Sequence, residues 1–244
     1  MRKLFRKILF LLYRPYCMWV ISNNRTYKYS GLILQVPKGV FHPGLFFSTK
    51  YMAKELLKLN LQQKKVLEVG CGSGLISILA ARKGALVTSI DINPAAVRAT
   101  ADNAAINGIS LQAYESDLFS NVIGQTFDIL VINPPYFKKN PSTPAAAAWY
   151  AGESYQYFEK LFAGIGRHIK SDSLVLMVAS EDVDTDLIRQ IADKNNFTLS
   201  LHSQAVIMLE RNFIFSIKNA TKQTGHLTGK ISSVYGSDPS IPFP

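Results

Sequence analysis

The sequence predicts an α/β fold in which a mainly parallel sheet is covered by helices on both faces. From Lys65 onward, short apolar runs with strand character alternate with longer runs with helical character. This alternation is typical of βαβ units, whose crossover helices cover both sides of a parallel sheet. In addition, the apolar run 65–69 leads into a turn with glycine at every second position and then into a helical run. With 244 residues, of which 48% are hydrophobic, we expect one domain with one substantial core.

The alternation sets the expected order of elements. We predict strands at 65–69, 86–91, 111–115, 127–132 and 173–179, and helices at 74–83, 94–106, 154–169 and 183–194. Two further strand-like runs follow, at 197–203 and 211–218. Before the alternation begins, aromatic and β-branched residues around Gly31 predict a short hairpin at 26–36, and the apolar spacing of 51–59 predicts an amphipathic helix.

The positive charge of the chain is concentrated near its N-terminal end. The net charge is +10, and residues 1–65 contain thirteen Lys or Arg and one acidic residue. Within residues 1–22, basic and large apolar side chains fall on opposite sides of a helical wheel, which predicts a basic amphipathic helix. Three roles are open for it: contact with an anionic membrane surface, contact with RNA or the ribosome, or packing of its apolar side on the domain.

The sequence favours a cytoplasmic protein with at most peripheral membrane contact. The apolar run 8–13 falls well short of the roughly 20 residues that a bilayer span requires. The two cysteines, Cys17 and Cys71, provide neither a disulfide framework nor a zinc-ligand spacing. This usage fits a reducing compartment, and we expect no metal ion.

The glycine turn has the composition of a nucleotide-binding loop. Glycines at 70, 72 and 74 permit positive φ angles and let a ligand approach the backbone closely, and the following helix directs its N-terminal amides toward that ligand. Leu75 stands where the dinucleotide fingerprint requires its third glycine, which argues against a nicotinamide or flavin cofactor. Glu68, two residues before the first glycine, points to another class of cofactor.

The pattern Glu68-x-Gly70-x-Gly72-x-Gly74 resembles the first motif of the class I S-adenosylmethionine (SAM)-dependent methyltransferases. Asp91, Asp117 and an Asn-Pro-Pro-Tyr tetrapeptide at 133–136 follow in the order of that family's later motifs. The resemblance covers about residues 36–218 and is closest to the release-factor glutamine methyltransferases. It implies a Rossmann-like sheet of seven strands with helices on both faces, in which the last two strands form a hairpin and the final strand is antiparallel.

The resemblance also implies where the cofactor binds. Asp91 would accept both ribose hydroxyls of SAM, and Asp117 would lie near the adenine amino group. The residues implied to bind SAM, or its product S-adenosylhomocysteine, are Glu68, Gly70, Cys71, Gly72, Gly74, Asp91, Ile92, Asp117, Leu118 and Asn133. The residues implied to act in catalysis are Asn133, Pro134, Pro135 and Tyr136.

The Asn-Pro-Pro-Tyr turn suits methylation of a planar nitrogen. Such a nitrogen is a poor nucleophile because its lone pair is delocalised into the π system. The Asn133 side-chain oxygen and the Pro134 carbonyl can accept its two N–H groups and present the lone pair to the methyl carbon. Pro134 and Pro135 fix φ and remove backbone donors, and Tyr136 offers a flat face for the acceptor.

Two flanking segments bear on the expected site. In the glutamine methyltransferases a proline followed by an acid-threonine pair stands at the mouth of the cofactor site. This chain has Pro43 and Thr49, but Ser48 replaces the acid, which argues against cofactor contacts from this loop. The segment 148–153 resembles one that follows the catalytic loop in eukaryotic-type relatives, and we expect it to close the pocket.

Three functions remain open at this stage. The favoured one is methylation of a protein glutamine side chain, as in a release factor. The second is methylation of an exocyclic amino group of RNA or DNA, which requires a flipped or single-stranded base. The third is a non-catalytic cofactor-binding module.

The expected domain organisation has three parts. These are a basic extension at 1–35, the methyltransferase domain at 36–218 and a flexible tail at 219–244. Bacterial release-factor methyltransferases carry a helical N-terminal domain for which 1–35 is too short, so substrate recognition is expected to differ. Eukaryotic-type relatives use a small partner subunit instead, and such a partner is a further expectation here.

Overall fold

The computed structural model describes residues 15–17, 19–207 and 210–220. In this part of the chain, a seven-stranded sheet has the strand order β5-β4-β3-β6-β7-β9-β8. Its strands are β3 (Lys65–Val69), β4 (Leu86–Asp91), β5 (Gln112–Glu115), β6 (Phe127–Ile132), β7 (Ile169–Ser180), β8 (Phe197–Ile207) and β9 (Glu210–Asn219). Strands β3 to β7 are parallel, and β9 is antiparallel to β7 and β8. The predicted Rossmann-like sheet of seven strands is confirmed.

Helices cover the sheet on both faces. They are α1 (Phe47–Leu56), α2 (Leu75–Arg82), α3 (Pro94–Ile106), α4 (Gln156–Ile165) and α5 (Thr185–Lys194), with a 3-10 turn at Ala146–Ala148. The side chains of β6 alternate between the two faces. Leu130 and Ile132 join a core with α4 and α5, whereas Ile129 and Val131 join a core with α1 and α2. Because the parallel strands are buried on both faces, their carboxyl ends are the part of the sheet that can hold a ligand.

One helix and the strand that follows it meet at a boundary that differs from the predicted one. The helix predicted at 154–169 ends at Ile165, and the strand predicted at 173–179 already begins at Ile169. Ile169 pairs with Phe127 of β6, and the Phe127 amide donates to the carbonyl just before Ile169 at 3.0 Å. Pairing along the sheet therefore extends the strand into residues whose local pattern predicts helix.

The predicted N-terminal hairpin packs on α3. Its strands are β1 (Arg25–Tyr29) and β2 (Leu32–Val36), paired antiparallel. The Asn103 carboxamide accepts the Gln35 amide at 2.7 Å and donates to the Gln35 carbonyl at 2.9 Å. Asn107 makes the same pair of bonds to Ile33, at 3.0 and 2.8 Å. These side chains pair with β2 as a neighbouring strand would, so the hairpin packs with the domain although it falls within the expected extension.

Two predicted segments lie outside the described residues. They are the part of the basic amphipathic helix within residues 1–14 and the tail from residue 221 onward. Residues 15–17 and 19–21 are helical. Among the residues described, no helix combines the length and the hydropathy that a bilayer span requires.

Candidate functional site

The glycine turn joins β3 to α2. Gly70, Gly72 and Gly74 have positive φ angles of 79°, 55° and 81°, which side-chain-bearing residues rarely adopt. The Gly70 amide donates to the Ile90 carbonyl of β4 at 2.8 Å. A Cβ on Gly74 would lie 2.9 Å from the methyl carbon of Thr100 in α3. The turn is thus held against β4 by a backbone hydrogen bond and against α3 by a close approach that a Cβ at Gly74 would prevent.

Cys71 places a buried thiol inside this turn. The Thr100 hydroxyl lies 3.3 Å from Cys71 Sγ and 3.2 Å from the Gly72 carbonyl oxygen. Burial raises the pKa of the Cys71 thiol, so the thiol stays protonated at neutral pH and is a poor nucleophile. The side chain of Cys71 fills space within the turn, and cofactor binding by this residue remains a prediction.

Asp91 ends β4 next to the glycine turn. Its two carboxylate oxygens accept the backbone amides of Gly72, at 3.0 Å, and Asn93, at 2.9 Å. Burial raises the pKa of Asp91, and these two amides oppose that shift. A carboxylate has about four lone-pair sites, so each oxygen keeps capacity for a ligand hydroxyl. The structure brings together Asp91 and the glycine turn, as predicted.

Glu68 makes its contacts with α2. Its carboxylate is buried, with 4% of the residue exposed, and accepts the Ser77 amide at 2.8 Å and the Ser77 hydroxyl. The Ser77 hydroxyl also lies 2.6 Å from that of Ser89 in β4. Burial is the main reason why the pKa of Glu68 is raised to about 8. Glu68 therefore fixes the start of α2, and a contact of its own with SAM remains a prediction.

We expect Glu68 to make the stability of the cofactor-free protein depend on pH. The folded state retains a proton that the unfolded chain releases above its ordinary pKa of 4.5. The free energy of unfolding should therefore fall as pH rises from 4.5 toward about 8. Thermal unfolding between about pH 5 and about pH 8 should show a flatter profile for Glu68→Gln, which keeps an acceptor for Ser77 but does not titrate. Parallel profiles for the two proteins would contradict this assignment.

Two further residues predicted to bind SAM, Ile92 and Asp117, lie just after the ends of β4 and β5. The Ser116 amide donates to the Asp91 carbonyl at 2.9 Å and so ties the two strand ends together. Asp117 follows and forms an exposed ion pair with Lys160 at 2.9 Å. The side chain of Ile92 is 40% exposed. The position of Ile92 fits an apolar contact for a flat base. The exposed ion pair of Asp117 and Lys160 contributes little to the stability of the fold.

The Asn-Pro-Pro-Tyr motif follows β6 and lies beside the glycine turn. The Tyr136 hydroxyl donates to Asn133 Oδ1 at 2.9 Å, and Asn133 Nδ2 donates to Thr49 Oγ1 at 3.2 Å. Burial raises the pKa of Tyr136, and the Ser48 hydroxyl opposes that shift. A Cβ on Gly70 would lie 3.7 Å from the Asn133 backbone carbonyl. The Asn133 carboxamide is thus held at both its oxygen and its nitrogen.

Thr49 is a site residue that the sequence interpretation missed. We predicted helix at 51–59, but α1 begins at Phe47, so Thr49 lies in its first turn with a fixed direction. The Thr49 hydroxyl contacts Asn133, 84 positions later in the sequence. The sequence did contain a signal, because Pro43 and Thr49 match two positions of the family's proline and acid-threonine segment. We interpreted that match only in terms of cofactor contacts.

We expect Thr49→Val to lower the turnover number about tenfold, because Asn133 loses the acceptor that fixes its orientation. SAM affinity should be nearly unchanged. Thr49→Ser is the matched control, since it keeps the hydroxyl and loses the methyl group. In steady-state kinetics the turnover number of Thr49→Ser should therefore be close to that of the wild type and well above that of Thr49→Val. The reverse order would mean that Thr49 acts only through packing.

An aromatic cluster lies against the same motif. The rings of Phe41, Phe46 and Trp149 lie 4.9 to 5.1 Å apart between centroids. The Trp149 carbonyl accepts the Tyr136 amide at 3.1 Å and the Phe137 amide at 2.9 Å. The segment 148–153 is therefore joined to the motif by backbone bonds, and its role in closing the pocket remains a prediction.

Tyr157, at the start of α4, is a second residue that the sequence interpretation missed. Burial raises the pKa of Tyr157, and Asp91, Tyr136 and Asp117 raise it further. Tyr157 and Tyr136 both pack against the core that α4 and α5 form with the sheet. No motif includes Tyr157, so only the folded arrangement reveals it.

The site fits SAM in three respects. The turn leaves a glycine backbone beside Asp91, Asp91 retains acceptor capacity, and Ile92 exposes an apolar side chain at the adjacent strand end. A model of the methyltransferase small domain matches residues 32–186 of the chain. The chain belongs to this family. It is a SAM-dependent methyltransferase, and the prediction of that activity and of SAM as cofactor is confirmed.

Two relatives illustrate what this methyltransferase is similar to. A Methanocaldococcus jannaschii protein named as an N5-glutamine methyltransferase is 48% identical over 79 residues, which make up 32% of this chain and 40% of the relative. The ribosomal RNA small subunit methyltransferase C of Chromohalobacter salexigens is 33% identical over 116 residues, or 46% of this chain and 34% of the relative. The methyltransferase thus aligns with less than half the length of either relative.

Solved structures share the fold at low sequence identity. The ribosomal protein L11 methylase of Lactobacillus delbrueckii subsp. bulgaricus has a TM-score of 0.58 at 20% identity, covering 79% of this chain and 91% of that protein. In the Mtq2–Trm112 complex of E. cuniculi, which is responsible for methylation of the termination factor eRF1, the matched chain has a TM-score of 0.55 at 20% identity. The match covers 74% of this methyltransferase and 99% of that chain. These likenesses support the Rossmann-like fold.

Proposed function

We propose that this methyltransferase acts on a planar nitrogen, and that its acceptor is the side-chain amide of a glutamine in a protein, as in a release factor. The observation that carries the proposal is the Asn133 carboxamide, which is oriented by Thr49 and Tyr136 at the end of β6. It lies beside the glycine turn, where the cofactor is expected. The Asn-Pro-Pro-Tyr tetrapeptide at 133–136 resembles the motif of the release-factor glutamine methyltransferases, which supports the proposal.

The side chains around Asn133 explain how such an acceptor would be held. Asn133 Oδ1 already accepts one hydrogen bond, from Tyr136, and an amide oxygen has a second lone pair for one N–H of the acceptor. The Pro134 carbonyl can accept the other N–H. Pro134 and Pro135 lack backbone donors and fix φ, so the turn keeps its acceptors in place before the substrate arrives. SAM, when bound, supplies an electrophilic methyl group.

The geometry favours transfer by positioning. An amide nitrogen needs its lone pair directed at the methyl carbon, and orientation of this kind supplies a large part of the rate enhancement in displacement reactions. The Asn133 carboxamide is fixed at both ends, so it can orient the acceptor without first reorganising. The relative from M. jannaschii, named as an N5-glutamine methyltransferase, supports the amide as acceptor.

A second candidate is methylation of an exocyclic amino group in RNA. The similarity to a ribosomal RNA methyltransferase supports it, and the same pair of acceptors would bind the two N–H groups of a base. The base would have to be flipped out of its stack or lie in a single strand. We favour the protein amide because the motifs of this chain, with the segment 148–153, resemble those of the glutamine methyltransferases.

We further propose that a small partner subunit contributes to substrate recognition. The matched chain of E. cuniculi works in such a complex, and it aligns with 74% of this methyltransferase. Co-purification of the tagged protein from its native extract, followed by mass spectrometry, tests this partner. Methylation by the isolated chain at the rate of the extract would contradict it.

The acceptor can be identified by incubation with methyl-labelled SAM and fractionated extract. We expect a labelled species that protease destroys and nuclease leaves intact. Acid hydrolysis should release the label as methylamine, because hydrolysis cleaves an N-methylated side-chain amide but not a methylated lysine or arginine. Asn133→Ala is the matched negative control. Label that is sensitive to nuclease would replace this proposal with the RNA candidate.

A further inference from the structure

The short helix at 15–17 and 19–21 is fixed to the domain by one of its faces. Cys17 and Val20 are buried, at 3% and 5% exposure, and pack with Ile21 against Leu45 and Phe46. The Ile21 carbonyl accepts a backbone amide from the loop after β2 at 3.3 Å. The opposite face of this helix therefore has a defined orientation relative to the domain.

That opposite face carries large aromatic side chains next to a cation. Trp19 is 56% exposed and Tyr16 is 49% exposed, and their ring centroids lie 6.1 Å apart. The Arg25 guanidinium carbon lies 3.6 Å from the centroid of the Trp19 ring. We call Tyr16, Trp19 and Arg25 the aromatic-basic face. Trp and Tyr combine an apolar ring with a polar group, and they are enriched where hydrocarbon meets lipid headgroups.

We propose that the aromatic-basic face docks this methyltransferase on the surface of an anionic lipid bilayer. The charge of the chain supports an anionic partner, since residues 1–65 hold thirteen basic residues and one acidic residue. Basic residues close to an anionic leaflet contribute about 1 kcal/mol each to binding. Arg25 would meet lipid phosphates, while Trp19 and Tyr16 would lie at the level of the headgroups.

The composition of residues 4–13, just before this face, favours lipid over RNA as the partner. Residues 4–13 read Leu-Phe-Arg-Lys-Ile-Leu-Phe-Leu-Leu-Tyr, in which all but two side chains are apolar or aromatic. Apolar surface gains free energy when hydrocarbon covers it, at roughly 25 cal/mol per Å², whereas contact with phosphates and base edges offers no such gain. The segment is too short to span a bilayer, which requires about 20 apolar residues, and its composition of apolar and basic residues suits contact with the surface of an anionic bilayer.

The two tryptophans of the chain allow a direct test. Trp149 is buried, with 8% exposure, whereas Trp19 is largely exposed. Trp149→Phe leaves Trp19 as the single tryptophan, and Trp19→Phe leaves Trp149. Vesicles of phosphatidylcholine with phosphatidylglycerol should shift the emission of Trp19 to shorter wavelength at low salt, and brominated lipids should quench it. High salt should reverse the shift, because screening weakens the attraction. The emission of Trp149 should be unchanged.

A binding measurement on the full chain complements the fluorescence. Trp19→Glu should lower partitioning onto the anionic vesicles at least about tenfold, because it replaces an interfacial aromatic by a like charge. Its affinity for SAM should equal that of the wild type, which shows that the variant is folded. Equal partitioning of Trp19→Glu and wild type would overturn the proposal. So would a Trp19 shift with single-stranded RNA and none with vesicles, which would assign the face to RNA.

Discussion

Replacement of Asn133 by alanine is expected to lower the rate of methyl transfer about 10²–10³-fold while SAM affinity stays nearly the same, by analogy with loss of one preorganised polar group in an active site. The Asn133 oxygen and nitrogen are both engaged in the site, by Tyr136 and Thr49. Alanine removes the acceptor that would orient the substrate nitrogen. Single-turnover transfer from labelled SAM to the identified substrate measures the chemical step apart from product release.

Asn133→Asp is the more discriminating variant. Its carboxylate still accepts hydrogen bonds from the acceptor nitrogen and from Tyr136, but it cannot donate to Thr49 as the Asn133 amide does. We therefore expect partial activity, between the wild type and Asn133→Ala. Asn219→Ala, at the exposed end of β9, serves as the matched control and should transfer at the wild-type rate. A wild-type rate in Asn133→Ala would eliminate this mechanism and favour a non-catalytic cofactor-binding role.

The second large effect is expected at Asp91. Asp91→Ala should weaken SAM binding by about 10-fold to 150-fold, which corresponds to about 1.5–3 kcal/mol for the loss of one charge-assisted bond to ribose. The variant also leaves the amides of Gly72 and Asn93 without the acceptor that they have in the structure. Both effects act on the cofactor site, so the loss should appear in the dissociation constant measured by titration calorimetry.

Two comparisons sharpen the Asp91 result. Asp91→Asn keeps one oxygen acceptor and should bind SAM with an affinity between those of the wild type and Asp91→Ala. Asp102→Ala removes an exposed carboxylate on α3 and controls for the change in net charge. If Asp91→Ala binds SAM as tightly as Asp102→Ala does, the assignment of Asp91 to the ribose is wrong.

The strands could be predicted because their signal is local. The runs at 65–69, 86–91 and 127–132 are apolar, short and followed by turn residues, and the structure has strands with the same bounds. The predicted end of α4 was wrong because the true end depends on strand pairing with a residue distant in the sequence. Ile169 joins β7 through its pairing with Phe127, and nothing in the local pattern of 154–169 carries that information.

The candidate site likewise contains residues that local motifs predict and contacts that only the folded protein reveals. Asp91 and the glycine turn were predicted from motifs, and the structure brings them within hydrogen-bond distance. The contact of Thr49 with Asn133 joins residues 84 positions apart. Such contacts arise only when separate elements pack, because single-sequence patterns report each element by itself.

The pairing of β2 with Asn103 and Asn107 has a consequence for the order of events during synthesis on the ribosome. The partner residues lie 68 and 74 positions apart, so the hairpin leaves the exit tunnel well before α3 exists. Until then the outer edge of β2 presents unsatisfied amides and carbonyls, which can template pairing with another chain. Asparagine offers a donor and an acceptor on one planar group, and it closes that edge as soon as the helix docks. Helix docking, rather than the addition of a strand, is thus the step that protects the nascent chain from association with its neighbours.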